Sequence, residues 1–312
     1  MNWIEPKRLA PGMTIGIMAP ASASDEDLHR IEEICKAKGY KVLVGESASR
    51  KGLYGGTPEE QAAEFQYMMT TAPCDAVLAL RGGYGTMRYL ERLDYKAIRK
   101  YRKAFIGYSD CTALHMAINR YSRLITYHGP MGVDFKAERK ADIDALFNVL
   151  EGKLKVIEPL PEPPRGAIGT ELGEGIFRGG NMTILSVLSG TPYFLEDESW
   201  EDTLLFIEDV GEAPYKLDRM LQQFRLSGLL SCIKGLVIGT FTDCEGDEDE
   251  RDYDLGYETL RYMEENRKPE LPDPFVCYVP TGHGSPHQTL PLGATISFRY
   301  ISNTIIVHPY TK

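Results

Sequence analysis

The alternation of apolar and polar positions divides the first half of the chain into short, regular pieces. Met13-Thr-Ile-Gly-Ile-Met-Ala-Pro20 is an apolar run ending in small residues, and the polar stretch 22–27 offers helix-capping groups. Leu28, Ile31, Ile34 and Cys35 recur at helical spacing, Gly39 stops that helix, and Lys41-Val-Leu-Val44 predicts a strand. Pro58, with Glu59 and Glu60 behind it, opens a second helix through Met69, its acids placed where a helix N-terminus favours negative charge. A strand at 75–80, a glycine-rich turn, a helix over 86–99, a strand at 104–107 and a helix over 112–120 follow. This alternation predicts an α/β architecture with a parallel, doubly wound sheet. The turns at 81–85 and 108–110 then fall at strand C-termini, where open α/β sheets bind ligands.

The stretch 156–169 is rich in proline, with little helix or strand character, and reads as a linker between domains over 1–155 and 170–312. Beyond it the pattern predicts a helix over 182–188, a strand at 203–207, a helix over about 214–227 and a strand at 235–239. Closing strands follow at 295–298 and 304–307. No internal repeat or low-complexity segment interrupts this order.

Composition narrows the function classes. A chain of 312 residues, 43% hydrophobic and 26% charged, is ordinary for a globular protein in water. A net charge of −10 argues against a nucleic-acid surface. No apolar run approaches the roughly 18 residues of a membrane span, and residues 1–8 lack the basic and apolar regions of a signal peptide. Six scattered cysteines without a C-x-x-C pair read as reduced thiols, so the expected location is cytoplasmic. The acidic run 243–250 lacks calcium-loop spacing and reads as a solvated loop. Glycines 82, 83 and 85 match neither a Walker loop nor a dinucleotide fingerprint. Neither metal nor cofactor is expected.

The chemistry-bearing residues each carry two readings. Ser109, in Gly107-Tyr-Ser-Asp-Cys111, sits between a strand and a helix as a nucleophile would, but Cys111 replaces the last glycine of G-x-S-x-G. A Ser-Asp pair before a helix also reads as a cap. Glu208 and Asp209 end an apolar strand, where a carboxylate is either functional or simply solvated. His283, between two glycines, and His287 share a loop and compete for the role of base. His128 either lines a site or satisfies a loop, His115 packs within a helix, and His29 and His308 read as surface residues. Arg81 suits a substrate carboxylate or an ion pair that holds its turn. Tyr108 lines a pocket or packs.

Taken in order, Arg81-Gly-Gly-Tyr-Gly85, Gly107-Tyr-Ser-Asp110, Thr126-Tyr-His-Gly-Pro-Met131, Gly179-Gly-Asn-Met-Thr183, Leu205-Phe-Ile-Glu-Asp-Val210, Pro214-Tyr-Lys-Leu-Asp-Arg219, Gly282-His-Gly284 and Thr289-Leu-Pro-Leu-Gly293 resemble the LD-carboxypeptidases. This serine peptidase family, peptidase S66, includes the microcin C immunity hydrolases. The resemblance implies a flavodoxin-like N-terminal domain, a mixed α/β C-terminal domain and an active site in the cleft between them. It implies a catalytic triad of Ser109, Glu208 and His283, with the backbone N–H groups of Gly83 and Asp110 as oxyanion donors. Arg81, Tyr108 and His128 are the expected substrate-binding residues. The implied reaction is serine carboxypeptidase hydrolysis of an L,D-amide: murein tetrapeptide to tripeptide and D-alanine, in peptidoglycan recycling, by a homodimer without cofactor. The run from Ile207 to Tyr215 favours this branch over an immunity-type hydrolase of aminoacyl- or peptidyl-nucleotide analogues. A non-catalytic binding protein using the cleft is the alternative from another class.

Overall fold

The computed structural model describes residues 2–153, 156–157, 168–169, 172–194, 198–246, 253–265, 267, 271, 274–299 and 304–307. The chain forms two compact units, Met1–Leu154 with Gln288–Gly293, and Lys155–His287 with Ala294–Lys312.

In chain order, the first unit contains β1 (Thr14–Met18), α1 (Leu28–Ala37), β2 (Lys41–Val44), α2 (Pro58–Met69), β3 (Ala76–Ala79), α3 (Tyr95–Tyr101), β4 (Ala104–Gly107), α4 (Thr112–Ser122), β5 (Thr126–His128) and α5 (Lys140–Leu150). The second contains β6 (Val156–Ile157), β7 (Ile168–Gly169), β8 (Leu172–Asn181), α6 (Met182–Leu188), β9 (Thr203–Val210), α7 (Pro214–Leu226), α8 (Leu229–Cys232), β10 (Gly235–Thr242), α9 (Leu255–Glu265) and β11 (Phe275–Tyr278). The chain returns to the first unit for β12 (Leu290–Leu292) and ends in the second with β13 (Thr295–Arg299) and β14 (Thr304–Val307).

The first sheet has the order β12-β5-β4-β3-β1-β2, parallel except for β12, which runs antiparallel to β5 with Leu290 opposite His128. Its five parallel strands follow the flavodoxin-like order. Ile17, Leu78, Ile106, Phe135 and Leu146 are buried in one continuous core. The start of α2 is fixed by a capping box: Thr57 Oγ1 accepts from Glu60 N at 3.2 Å, and Glu60 Oε2 accepts from Thr57 N at 2.8 Å. The second sheet has the order β6-β14-β13-β8-β9-β10-β11-β7, parallel from β8 to β11 and antiparallel outside it.

The structure departs from the sequence expectations in three places. The helix expected over 86–99 is two 3-10 turns, Thr86–Arg88 and Leu90–Arg92, followed by α3. Thr86 N donates to Asp110 Oδ2, not to its own segment, and Asp94 starts a fresh helix by accepting from Lys96 N and Ala97 N. The proline-rich stretch begins and ends in strands at opposite edges of the second sheet, and residues 158–167 lie outside the described ones. Residues 288–293, expected in the second domain, belong to the first unit because β12 completes its sheet.

His115 on α4 illustrates how tightly the strand before Ser109 is held. Its ring is fully buried, and Nε2 donates to the Gly107 carbonyl at 2.9 Å, which fixes the proton on that nitrogen. Burial pushes its pKa down to about 3 from 6.5. Protons therefore bind the unfolded imidazole first, so stability is full above pH 6.5 and falls as pH drops toward 3. Between pH 7 and 5 this group alone is expected to remove about 2 kcal/mol. His115→Gln keeps an N–H donor but does not titrate. Urea midpoints measured across that range should fall less steeply for the variant than for the wild type, and parallel curves would refute this account.

Candidate active site

Two turns of the first unit face each other at the C-terminal ends of β3 and β4. After β4 the chain turns sharply at Ser109, whose φ of 61° lies in the left-handed region that non-glycine residues rarely adopt. Ser109 opens a short 3-10 turn that leads into α4 and is half-buried. It caps no helix: neither Tyr108 nor Cys111, the residues at the cap positions, makes a side-chain cap bond. The cap reading therefore fails, and the strained serine remains. From the β3 side Gly82 comes so close that an added Cβ would stand 2.8 Å from Ser109 Cβ and 3.4 Å from Asp110 N. Only a residue without a side chain permits that approach.

Asp110 joins the turns. Its carboxylate is buried and accepts from Thr86 N at 2.9 Å, while its carbonyl accepts from Thr86 Oγ1 at 2.7 Å. Burial raises its pKa, opposed by the N–H groups of Thr86 and Gly85. Gly83 has φ of 109° and is exposed, with its neighbour Tyr84 donating its N–H to Ser22 Oγ at 3.0 Å.

In the second unit, β9 lies between β8 and β10 and is buried from Thr203 to Asp209. Glu208 sits near its C-terminal end, opposite Asn181 of β8. The register with β10 shifts between Ile238 and Phe241, and there Gly239 makes room: a Cβ on it would stand 2.9 Å from Glu208 Cβ. The loop after β11 runs along this end of β10, with Val279 N donating to Ile238 O at 2.8 Å and Thr240 N to Thr281 O at 2.8 Å. Gly282, with φ of 135°, then presents His283 to Glu208. Nδ1 of His283 lies 2.7 Å from Glu208 Oε2, the carboxylate fully buried and the imidazole 16% exposed. A carboxylate can only accept when ionised, so Nδ1 carries the proton and Nε2 is left as the basic nitrogen. Such a pair can take a proton from a hydroxyl and hold the resulting imidazolium.

Asp209 does different work. It accepts from Asn181 Nδ2, Thr183 N and Thr183 Oγ1, each at 2.8 Å, tying β9 to the start of α6. His287 is fully buried, and Glu208 bonds His283. Tyr108 and His128 pack with ring centroids 5.8 Å apart, His128 fully buried and Tyr108 nearly so; the Tyr108 hydroxyl donates to Asp134. Arg81 is exposed, and no carboxylate pairs with it among the described residues, so the ion-pair reading does not hold. Thr86 and Gly239 carried no signal along the sequence, because each matters through a neighbour distant in the chain; Gly82 was legible only as part of the Arg81–Gly85 motif. Among the described residues no cluster of His, Cys, Asp and Glu is placed to hold a metal, and no helix is long and apolar enough to cross a membrane.

Comparison with known proteins gives matches over both units. Residues 15–129 match the LD-carboxypeptidase N-terminal domain and residues 174–298 the LD-carboxypeptidase C-terminal domain. A Bacillus subtilis protein named "Probable murein peptide carboxypeptidase" is 32% identical, over 97% of this chain and 94% of its own. The Microcin C7 self-immunity protein of Escherichia coli is 25% identical, over 96% of this chain and 94% of its own. The crystal structure of muramoyltetrapeptide carboxypeptidase from Oxalobacter formigenes superposes with a TM-score of 0.79 at 27% identity, covering 96% of this chain and all of that one.

The left-handed serine gives a stability test independent of activity. Ser109→Ala and Ser109→Gly both remove the hydroxyl, but only glycine relieves the backbone. The glycine variant is expected to be more stable than the alanine variant by about 1 kcal/mol, read by urea denaturation. An alanine variant as stable as the glycine variant would remove the strain.

Proposed function

The chain belongs to the LD-carboxypeptidase family of serine peptidases, and on that premise we propose that it releases D-alanine from murein tetrapeptide in the recycling of peptidoglycan in the cytoplasm. The bond cut is the amide between an L-configured centre and the terminal D-residue. In this reading Ser109 Oγ attacks the scissile carbonyl while His283 Nε2 takes its proton. The N–H groups of Gly83 and Asp110 stabilise the oxyanion that forms. His283 then delivers the proton to the departing amine, and water, activated by the same imidazole, releases the tripeptide from Ser109. Glu208 keeps Nδ1 protonated throughout and balances the imidazolium. Arg81, exposed beside the glycine-rich turn, binds the free carboxylate of the substrate as a bidentate partner. The bond from His283 Nδ1 to the buried Glu208 carboxylate supports this assignment, because it pairs one histidine of the loop with a carboxylate, as an oriented general base requires.

The similarity to the microcin self-immunity protein favours a second reading, hydrolysis of an acyl-nucleotide analogue by the same three residues. Membership of a peptidase family weighs against the non-catalytic binding protein.

The test compares L,D- and L,L-tetrapeptides, with released amino acid measured by chromatography. The wild type is expected to release D-alanine from the first and nothing from the second. Ser109→Ala and His283→Ala should each lower kcat by at least about 1,000-fold, and Glu208→Gln by a comparable or smaller factor. Ser109→Ala retaining wild-type turnover would rule out the nucleophile. Release from an acyl-nucleotide analogue alone would move the assignment to the second reading.

A further inference from the structure

The two turns that carry Ser109 and the oxyanion donors are held by residues that take no part in the proposed chemistry, through both their backbone and their side chains. A peptide unit is planar and trans, so its carbonyl and its N–H point in opposite directions. The carbonyl of Gly82 and the N–H of Gly83 share one such unit, and the Gly82 carbonyl accepts from Ser22 N at 3.3 Å. The next unit is held by the same residue, since Tyr84 N donates to Ser22 Oγ at 3.0 Å. Both peptides flanking the Gly83 Cα are therefore oriented by Ser22, and a Cβ on Gly83 would run into its hydroxyl. Ser22 is itself on a fixed segment. Gln61, fully buried on α2, donates Nε2 to the carbonyls of Pro20 at 3.0 Å and Ala21 at 2.8 Å, and Tyr89 Oη donates to Pro20 O at 2.9 Å.

The second fixing point is Thr86, also fully buried. It grips both ends of Asp110, the carboxylate through its N–H and the carbonyl through its hydroxyl. Asp110 is the second residue of its helical turn, where an N–H has no intrahelical acceptor and is available to a ligand. Thr86 thus sets the spacing between the turn that bears Gly83 and the turn that bears Asp110.

We propose that Ser22 and Thr86 are positioning residues of the oxyanion site, Ser22 aiming the Gly83 N–H and the Thr86 hydroxyl holding the Asp110 turn against it. The inference rests on the oxyanion roles assigned above to Gly83 and Asp110. Oxyanion stabilisation depends on donors placed for the charge that develops during reaction, so loosening either hold lowers turnover and leaves ground-state binding nearly unchanged.

Thr86→Val removes the hydroxyl and keeps the shape, and Thr86→Ser restores the hydroxyl. For the full-length protein, two measurements are made: kcat and KM on the L,D-tetrapeptide, and the rate at which a fluorophosphonate labels Ser109. The label forms a P–O bond to Ser109 Oγ and releases fluoride, so its rate reports the oxyanion site without the peptide substrate. Thr86→Val is expected to lower kcat and the labelling rate by roughly 10- to 100-fold with KM nearly unchanged, and Thr86→Ser to recover most of both. Ser22→Ala keeps the backbone bond to Gly82 O and removes only the hydroxyl bond to Tyr84 N; it should slow labelling by about 10-fold and serves as the test if Thr86→Val does not fold. Labelling at the wild-type rate in the valine and alanine variants would overturn the proposal, as would Thr86→Ser no faster than Thr86→Val. A wild type that labels at Ser109 but releases no D-alanine refutes the substrate reading, and the labelling ratios still decide the positioning roles. A wild type that does not label at Ser109 refutes both.

Discussion

A carboxylate removed from water at the end of a central strand must have a partner, because an uncompensated buried charge costs several kcal/mol. Glu208 is fully buried, and His283 answers it at 2.7 Å. Much of the local architecture of the second unit follows from that pairing. The register shift in β10, the bare Gly239 beside Glu208 and the positive φ of Gly282 each make space for one carboxylate and one imidazole. Asp209, the adjacent acid, meets the same requirement differently, with donors from Asn181, Thr183 and Val210. Two neighbouring carboxylates thus take different roles through their surroundings.

The first unit solves a different problem, that of holding a serine in a backbone conformation it disfavours. Strain of this kind persists only where the surroundings over-determine it. Here the closeness of Gly82, the Thr86–Asp110 bonds and the His115 anchor on Gly107 do so together. The residue that breaks the G-x-S-x-G pattern belongs to the same solution. A Cβ on Gly107 would stand 3.0 Å from both Cβ and Sγ of Cys111, so the glycine before the serine leaves room for the larger residue after it. The turn keeps its sharpness with the bulk moved to the other side, which is why a motif written as letters misses it.

Local pattern was a good guide wherever the physics is local. The first parallel strands, α1, α2, α4, α6 and α7 follow from apolar spacing, capping residues and proline or glycine punctuation, because those forces act within a few residues. The helix expected over 86–99 failed where a long-range bond intervened, with Thr86 giving its N–H to Asp110. The strand Leu290–Leu292 could not be placed from its own residues either, since its partner Thr126–His128 lies far back in the chain.

For the site, sequence alone determined which residues were candidates: Ser109 in a turn after a strand, Glu208 or Asp209 at a strand end, His283 or His287 in one loop, and the ordered motifs that signal the family. Residue by residue it left each pair open, and only the resemblance of the ordered motifs implied Glu208 and His283. Tertiary structure adds which of them touch, because burial and hydrogen-bond distance are properties of neighbours in space. Glu208 bonds His283 and Asp209 bonds Asn181 and Thr183. Ser109 caps no helix, and its carboxylate neighbour Asp110 is held by a threonine 24 residues earlier.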